Sequence, residues 1–159
     1  MNESRTRVYV SGALTGINNL DSVKEFYVTI GLLSEKMGFQ TYIPHLKTDP
    51  IQHPDISPCT VFETDKHQVT ESDLVIAYIG YASLGVGMEL AYAETYAIPI
   101  ILLYEKDKVI SRFPRGIPTV FSEIAFTDYK DALAQLEIVL KKWRQQHIKQ
   151  SSSVPFSST

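Results

Sequence analysis

Two apolar runs, Leu74–Ile79 and Ile98–Leu103, are separated by a segment of helix length, and this spacing limits the fold more than any other feature. A strand that is apolar at consecutive positions is buried on both faces, which is the habit of a parallel sheet covered by helices. The gap is too long for a hairpin and suits a helical crossover, which returns the chain parallel to the strand it left.

The rest of the chain repeats the alternation. "RVYVSG" (Arg7–Gly12) reads as a first strand. Asn19 or Asp21 is placed to cap a helix that runs to about Lys36 and closes at Gly38; Val23, Phe26, Tyr27, Ile30, Leu33 and Met37 form its apolar face. Phe39–Pro44 reads as a second strand, Val61–Val69 as a helix, Leu84–Ala97 as the crossover helix, Pro99–Tyr104 as a fourth strand and Val120–Phe126 as a fifth strand. Asp128 is placed to cap a last helix, with Leu133, Leu136, Val139, Leu140 and Trp143 as its stripe. The expected fold is a single Rossmann-like (flavodoxin-like) α/β domain, a five-stranded parallel sheet with helices on both faces. It is expected to occupy residues 1–148. The polar, Ser-rich residues 149–159 read as a disordered tail.

Composition excludes several classes of function. The net charge of −3 supplies no field for a nucleic acid polymer or a membrane surface. No apolar run approaches the roughly 20 residues of a membrane span. The first ten residues hold no long apolar stretch of signal-peptide type. The single cysteine, Cys59, rules out an intrachain disulfide and fits a cytoplasmic location.

In such folds ligands bind at the carboxyl ends of the strands, so the loops beginning at Gly12, His45, Gly80 and Glu105 carry the candidates. "SGALTG" has neither the G-x-G-x-x-G spacing nor a P-loop lysine, and reads equally as a tight turn. The loop His45–Thr60, with three prolines, is long for a compact domain, as functional loops often are. In "SLGVGME" two glycines precede Glu89. A carboxylate there either favours the helix dipole or serves as nucleophile or base. Asp65, between Thr64 and Lys66, is either a solvated charge or a second acid; Asp73 reads as turn structure. His45, His53, His67 and His147 lack metal-ligand spacing, so no metal and no cofactor is expected. His45 lies at a strand end and is a candidate substrate contact. Ser11, Ser83 and Ser111 lack the G-x-S-x-G setting of a serine hydrolase.

"VYVSGALTG", "ETDKHQVTESDLVIAYIG" and "SLGVGMELAYA" together resemble the nucleoside 2-deoxyribosyltransferase superfamily, especially its 2'-deoxynucleoside 5'-phosphate N-hydrolase branch. The resemblance covers about residues 7–145. It implies that Glu89 attacks the anomeric carbon and forms a covalent glycosyl-enzyme. It implies that Asp65 handles the proton at the base or orients the sugar, and that Tyr9 sits beside the nucleophile. Gly12, Ala13, Leu14, Thr15 and Gly16 in the first loop, with Gly85 and Gly87, match substrate contacts. Ser83 matches a phosphate-binding serine of the hydrolases. Ser111, in "VISRFPRG", matches a serine that reaches a neighbouring subunit's phosphate, which implies a homodimer or higher homo-oligomer with a shared site. The hydrolase loop usually offers a serine and an arginine to phosphate; Ala13 and Thr15 stand there, keeping a hydroxyl and losing the charge.

The chemistry is coherent. Breaking an N-glycosidic bond builds oxocarbenium character, which a carboxylate stabilises and traps, and the base leaves better once protonated. The first expectation is an N-glycosidase of (2'-deoxy)nucleoside 5'-monophosphates. The others are a deoxyribosyltransferase on free nucleosides and a catalytically silent nucleotide-binding sensor.

Overall fold

The computed structural model describes residues 5–151, with side chains through His147. The strands are β1 (Arg7–Gly12), β2 (Gln40–Tyr42), β3 (Leu74–Tyr78), β4 (Ile100–Glu105) and β5 (Val120–Phe126). The helices are α1 (Leu20–Lys36), α2 (His45–Thr48), α3 (Pro58–Thr70), α4 (Leu84–Thr95), α5 (Arg112–Arg115) and α6 (Tyr129–Ser151). All strand pairs are parallel, and the order across the sheet is β2-β1-β3-β4-β5. This is the expected doubly wound arrangement. The order in which strands are added reverses between β1 and β3, where a crevice opens beyond the strand ends.

Alternation along the strands sorts the core into two layers. Val10, Ile76, Tyr78 and Leu103 face α1 and α6 and pack with Phe26, Ile30, Leu136 and Trp143. Tyr9, Val75, Ala77 and Leu102 face the other way and pack with Val69 of α3 and with Val86, Leu90 and Ala93 of α4. Tyr9 therefore points toward α4, and Ser11, two residues on, points with it.

Several elements differ from the sequence reading. α3 starts at Pro58 rather than near Val61, because the Ser57 hydroxyl accepts the Thr60 N–H and Pro58 occupies the first turn, where its missing N–H costs nothing. The loop after β2 is interrupted by the one-turn α2, and the β4–β5 connection by the one-turn α5. α4 starts at Leu84 as expected and ends two residues earlier, at Thr95; Ser83 is its N-cap, the Ser83 hydroxyl accepts the Val86 N–H, and Gly85 and Gly87 lie in its first turns. Asn19 stands at the N-cap of α1 without a side-chain cap bond, whereas Asp128 does cap α6, accepting the Asp131 N–H. α6 continues through Ser151, past the expected domain boundary at 148, and the remainder of the expected tail, residues 152–159, lies outside the described residues.

The end of β1 is closely fitted. A Cβ at Gly12 would overlap the Tyr27 ring. That ring lies across the strand end and donates its hydroxyl to the Ala13 carbonyl at 2.9 Å, fixing the start of the first loop.

Candidate active site

A cleft of about 460 Å³ opens beyond the ends of β1 and β3. One wall is the first loop, through Gly12, Leu14 and Thr15. A second is the start of α4, through Ser83, Gly85 and Glu89. The third is α3 and the loop before it, through Ile56, Val61, Phe62 and Asp65.

Glu89 is the most constrained group in the cleft. The Tyr9 hydroxyl donates to its Oε1 at 2.8 Å, and the Ser11 hydroxyl donates to its Oε2. Both donors come from β1, with Tyr9 and Ser11 fully buried, so the sheet itself fixes the carboxylate. Glu89 lies in the second turn of α4, past the reach of the helix N-terminus, which weakens the dipole explanation for an acid there. Burial pushes its pKa from 4.5 up to about 7; the hydrogen bonds from Ser11 and Tyr9 oppose this rise and the Asp65 charge adds to it.

Asp65 faces the same cleft from α3. The Tyr42 hydroxyl donates to its Oδ1 at 3.2 Å, and the Thr48 hydroxyl approaches its Oδ2 at 3.4 Å. Burial raises its pKa, and these hydroxyls partly offset the rise. Asp65 is therefore more than a solvated helix charge. The Tyr9 and Tyr42 rings stack at 5.6 Å and 19°, so the two acids are held by hydroxyls of one aromatic pair. Burial also raises the pKa of both tyrosines, which keeps them neutral donors at physiological pH.

Of the residues expected at the site, Glu89, Asp65, Gly12, Leu14, Thr15, Ser83 and Gly85 line the cleft. Tyr9 lies beneath it, bonded to Glu89. Ala13 is buried, Gly16 is exposed in a left-handed turn at φ +71°, and Gly87 is exposed; none lines the cleft. His45 is also absent from the lining: it is buried, with its ring 6.0 Å from Tyr27. Ser111 is exposed on the β4–β5 connection and does not line this chain's cleft. Asp73 accepts the Arg7 N–H at 2.7 Å at the opposite sheet edge, a turn role as expected.

Sequence reasoning missed Ser11, Tyr42, Thr48 and Phe62. Two-residue periodicity would have found Ser11, which shares a strand face with Tyr9. Phe62 precedes Asp65 by three residues, which puts both on one face of α3. Among the described residues no group of three or more His, Cys, Asp or Glu is arranged to hold a metal ion. No described helix is long and apolar enough to cross a membrane.

No protein-family model matches the chain. A Thermofilum pendens protein named "Putative 2'-deoxynucleoside 5'-phosphate N-hydrolase 1" is 29% identical over 139 residues, covering 84% of this chain and 94% of its own. The CMP N-glycosidase of Clostridium botulinum shares the fold with a TM-score of 0.64 at 22% identity, over 84% of this chain and 99% of that one. A 2-deoxyribosyltransferase from Bacillus psychrosaccharolyticus does so with a TM-score of 0.59 at 17% identity, over 80% of this chain and 90% of that one. The sequence relative bears out the resemblance of this chain to the 2'-deoxynucleoside 5'-phosphate N-hydrolases, and the two solved structures share its fold.

Proposed function

We propose that this chain is an N-glycosidase that hydrolyses (2'-deoxy)nucleoside 5'-monophosphates to free base and (deoxy)ribose 5-phosphate. The observation that carries this reading is the Glu89 carboxylate, fixed from below by Tyr9 and Ser11 in a cleft that also presents Asp65. Ionised Glu89 attacks the anomeric carbon, and the bond to the base nitrogen breaks. The base departs with the electron pair and takes up a proton, for which Asp65 is the candidate donor. Water then attacks the anomeric carbon, the ester to Glu89 breaks, and the carboxylate is regenerated with release of a proton. The names of the sequence relatives support the same chemistry.

The sugar phosphate is assigned to the start of α4, where backbone N–H groups and Ser83 meet the first loop at Thr15. Ser111 does not line this chain's cleft, and the resemblance assigns it to the phosphate of a neighbouring copy. One observation favours a second reading: none of the described residues lining the cleft is Lys or Arg. A deoxyribosyltransferase acting on free deoxynucleosides would need no such charge. Incubation with dAMP, dGMP, dCMP, dTMP, CMP and the matching nucleosides, with and without an acceptor base, separates the two. Free base from monophosphates supports hydrolysis, and base exchange on nucleosides contradicts it in favour of transfer.

Two variants examine parts of the site. Ser83→Ala removes a helix cap, at a cost of about 1 kcal/mol in stability, and is expected to raise KM more for monophosphates than for nucleosides. Equal effects on both would leave Ser83 with its cap role alone. Ser11→Ala deletes a hydrogen bond that favours the carboxylate form of Glu89. The acid limb of kcat/KM against pH then moves upward from about 7. A limb that stays in place or moves down contradicts the assignment of that limb to Glu89.

A further inference from the structure

Residues 50–55 are all exposed, yet Pro50, His53 and Pro54 form the rim of the cleft. A segment with so little burial of its own has low local stability unless something ties it down. The tie is Asp49, which is fully buried. Its Oδ1 accepts the N–H of Ile51 at 2.7 Å and of Gln52 at 3.1 Å, and its carbonyl accepts the N–H of His53 at 2.8 Å. Its Oδ2 pairs with the ammonium of Lys24, a mostly buried side chain on α1. The Lys24 pairing and the backbone hydrogen bonds hold Asp49 below the usual carboxylate range against the cost of burial. One ion pair therefore joins the rim loop to a helix that belongs to the core.

We propose that Lys24 and Asp49 are positioning residues, a latch that keeps the rim loop over the cleft and so sets the affinity for substrate without entering the chemistry. Glu89, Tyr9 and Ser11 stand on α4 and β1, which the latch does not touch. The part of the inference that concerns affinity rests on the function proposed above. When the competent loop position is populated only a tenth of the time, apparent affinity falls about tenfold.

Three variants test it. Lys24→Met strands the Asp49 charge and lowers stability as well as freeing the loop. Lys24→Met/Asp49→Asn removes both charges and keeps the side-chain oxygen that accepts the loop N–H groups, so stability recovers while the tie to α1 stays broken. Lys24→Arg keeps the charge. Hydrogen exchange over residues 49–56 is expected to quicken in the first two variants and to stay near wild type in Lys24→Arg. KM is expected to rise about tenfold in the double variant, with kcat within about threefold, and to stay near wild type in Lys24→Arg. A double variant with wild-type KM overturns the affinity claim and leaves the proposed function standing. Unchanged loop exchange in the double variant overturns the latch itself. A wild-type protein that turns over no nucleotide counts against the proposed function alone, and the exchange measurement still decides the latch.

Discussion

Glu89→Gln is expected to lower turnover by about four orders of magnitude or more and at the same time to make the fold more stable at about pH 8. The loss of turnover follows from removal of the attacking oxygen while the shape of the side chain is kept. The gain in stability follows from linkage. Burial raises the Glu89 pKa from 4.5 in the unfolded chain to about 7 in the folded one. Between these values the folded state holds a proton that the unfolded state has released. Stability therefore falls as pH rises through this window, and the penalty is complete above about 7. The full shift is worth about 3 kcal/mol. Glutamine carries no charge and escapes this penalty, and its oxygen and amide still meet the two hydroxyls from β1. Thermal unfolding checks it: the variant exceeds wild type near pH 8, and the charge-linked part of that gap closes at about pH 4. A gap independent of pH contradicts the buried-acid account, and unchanged turnover contradicts the nucleophile.

Asp65→Asn is expected to lower kcat by about two to three orders of magnitude, the range of a lost general acid. It is also expected to shift the acid limb of kcat/KM downward, because the Asp65 charge adds to the high Glu89 pKa. Asparagine retains acceptor and donor atoms for Tyr42 and Thr48, so the local hydrogen bonds persist. The sign is opposite to that for Ser11→Ala. That opposition is informative: a change in general packing has no reason to move the limb in two directions. A limb that rises in Asp65→Asn, or a kcat near wild type, removes Asp65 from the reaction.

The strands were legible because burial on both faces leaves a pattern that few alternatives share. β1 and β5 match the expected boundaries, and β3 and β4 fall within a residue or so of them. The start of α3 was hidden by proline, read as a loop signal although Ser57 and Pro58 form a cap and first turn. α4 holds Gly85 and Gly87 in its first turns. Glycine disfavours helix intrinsically, but the Ser83 cap and the packing of Val86 and Leu90 on the sheet outweigh that preference. At the site, Glu89 and Asp65 were visible as acids in informative places. Their partners Tyr42 and Thr48 were not, because contacts between separate strands and helices leave no local spacing to read, whereas Ser11 shares the two-residue period of Tyr9 on β1. His45 was placed correctly at a strand end, but α2 turns it into the core beside Tyr27 instead of into the cleft.

The central claim is that Glu89 forms a covalent bond to the sugar. A 2'-fluoro nucleoside monophosphate with a good leaving base tests it most directly, since fluorine beside the anomeric carbon destabilises the oxocarbenium-like transition state and slows hydrolysis of the trapped ester. Mass spectrometry of the quenched and digested protein is expected to show one fluorosugar phosphate, confined to the peptide that carries Glu89. Release of the base from the same analogue with Glu89 unmodified would contradict the account.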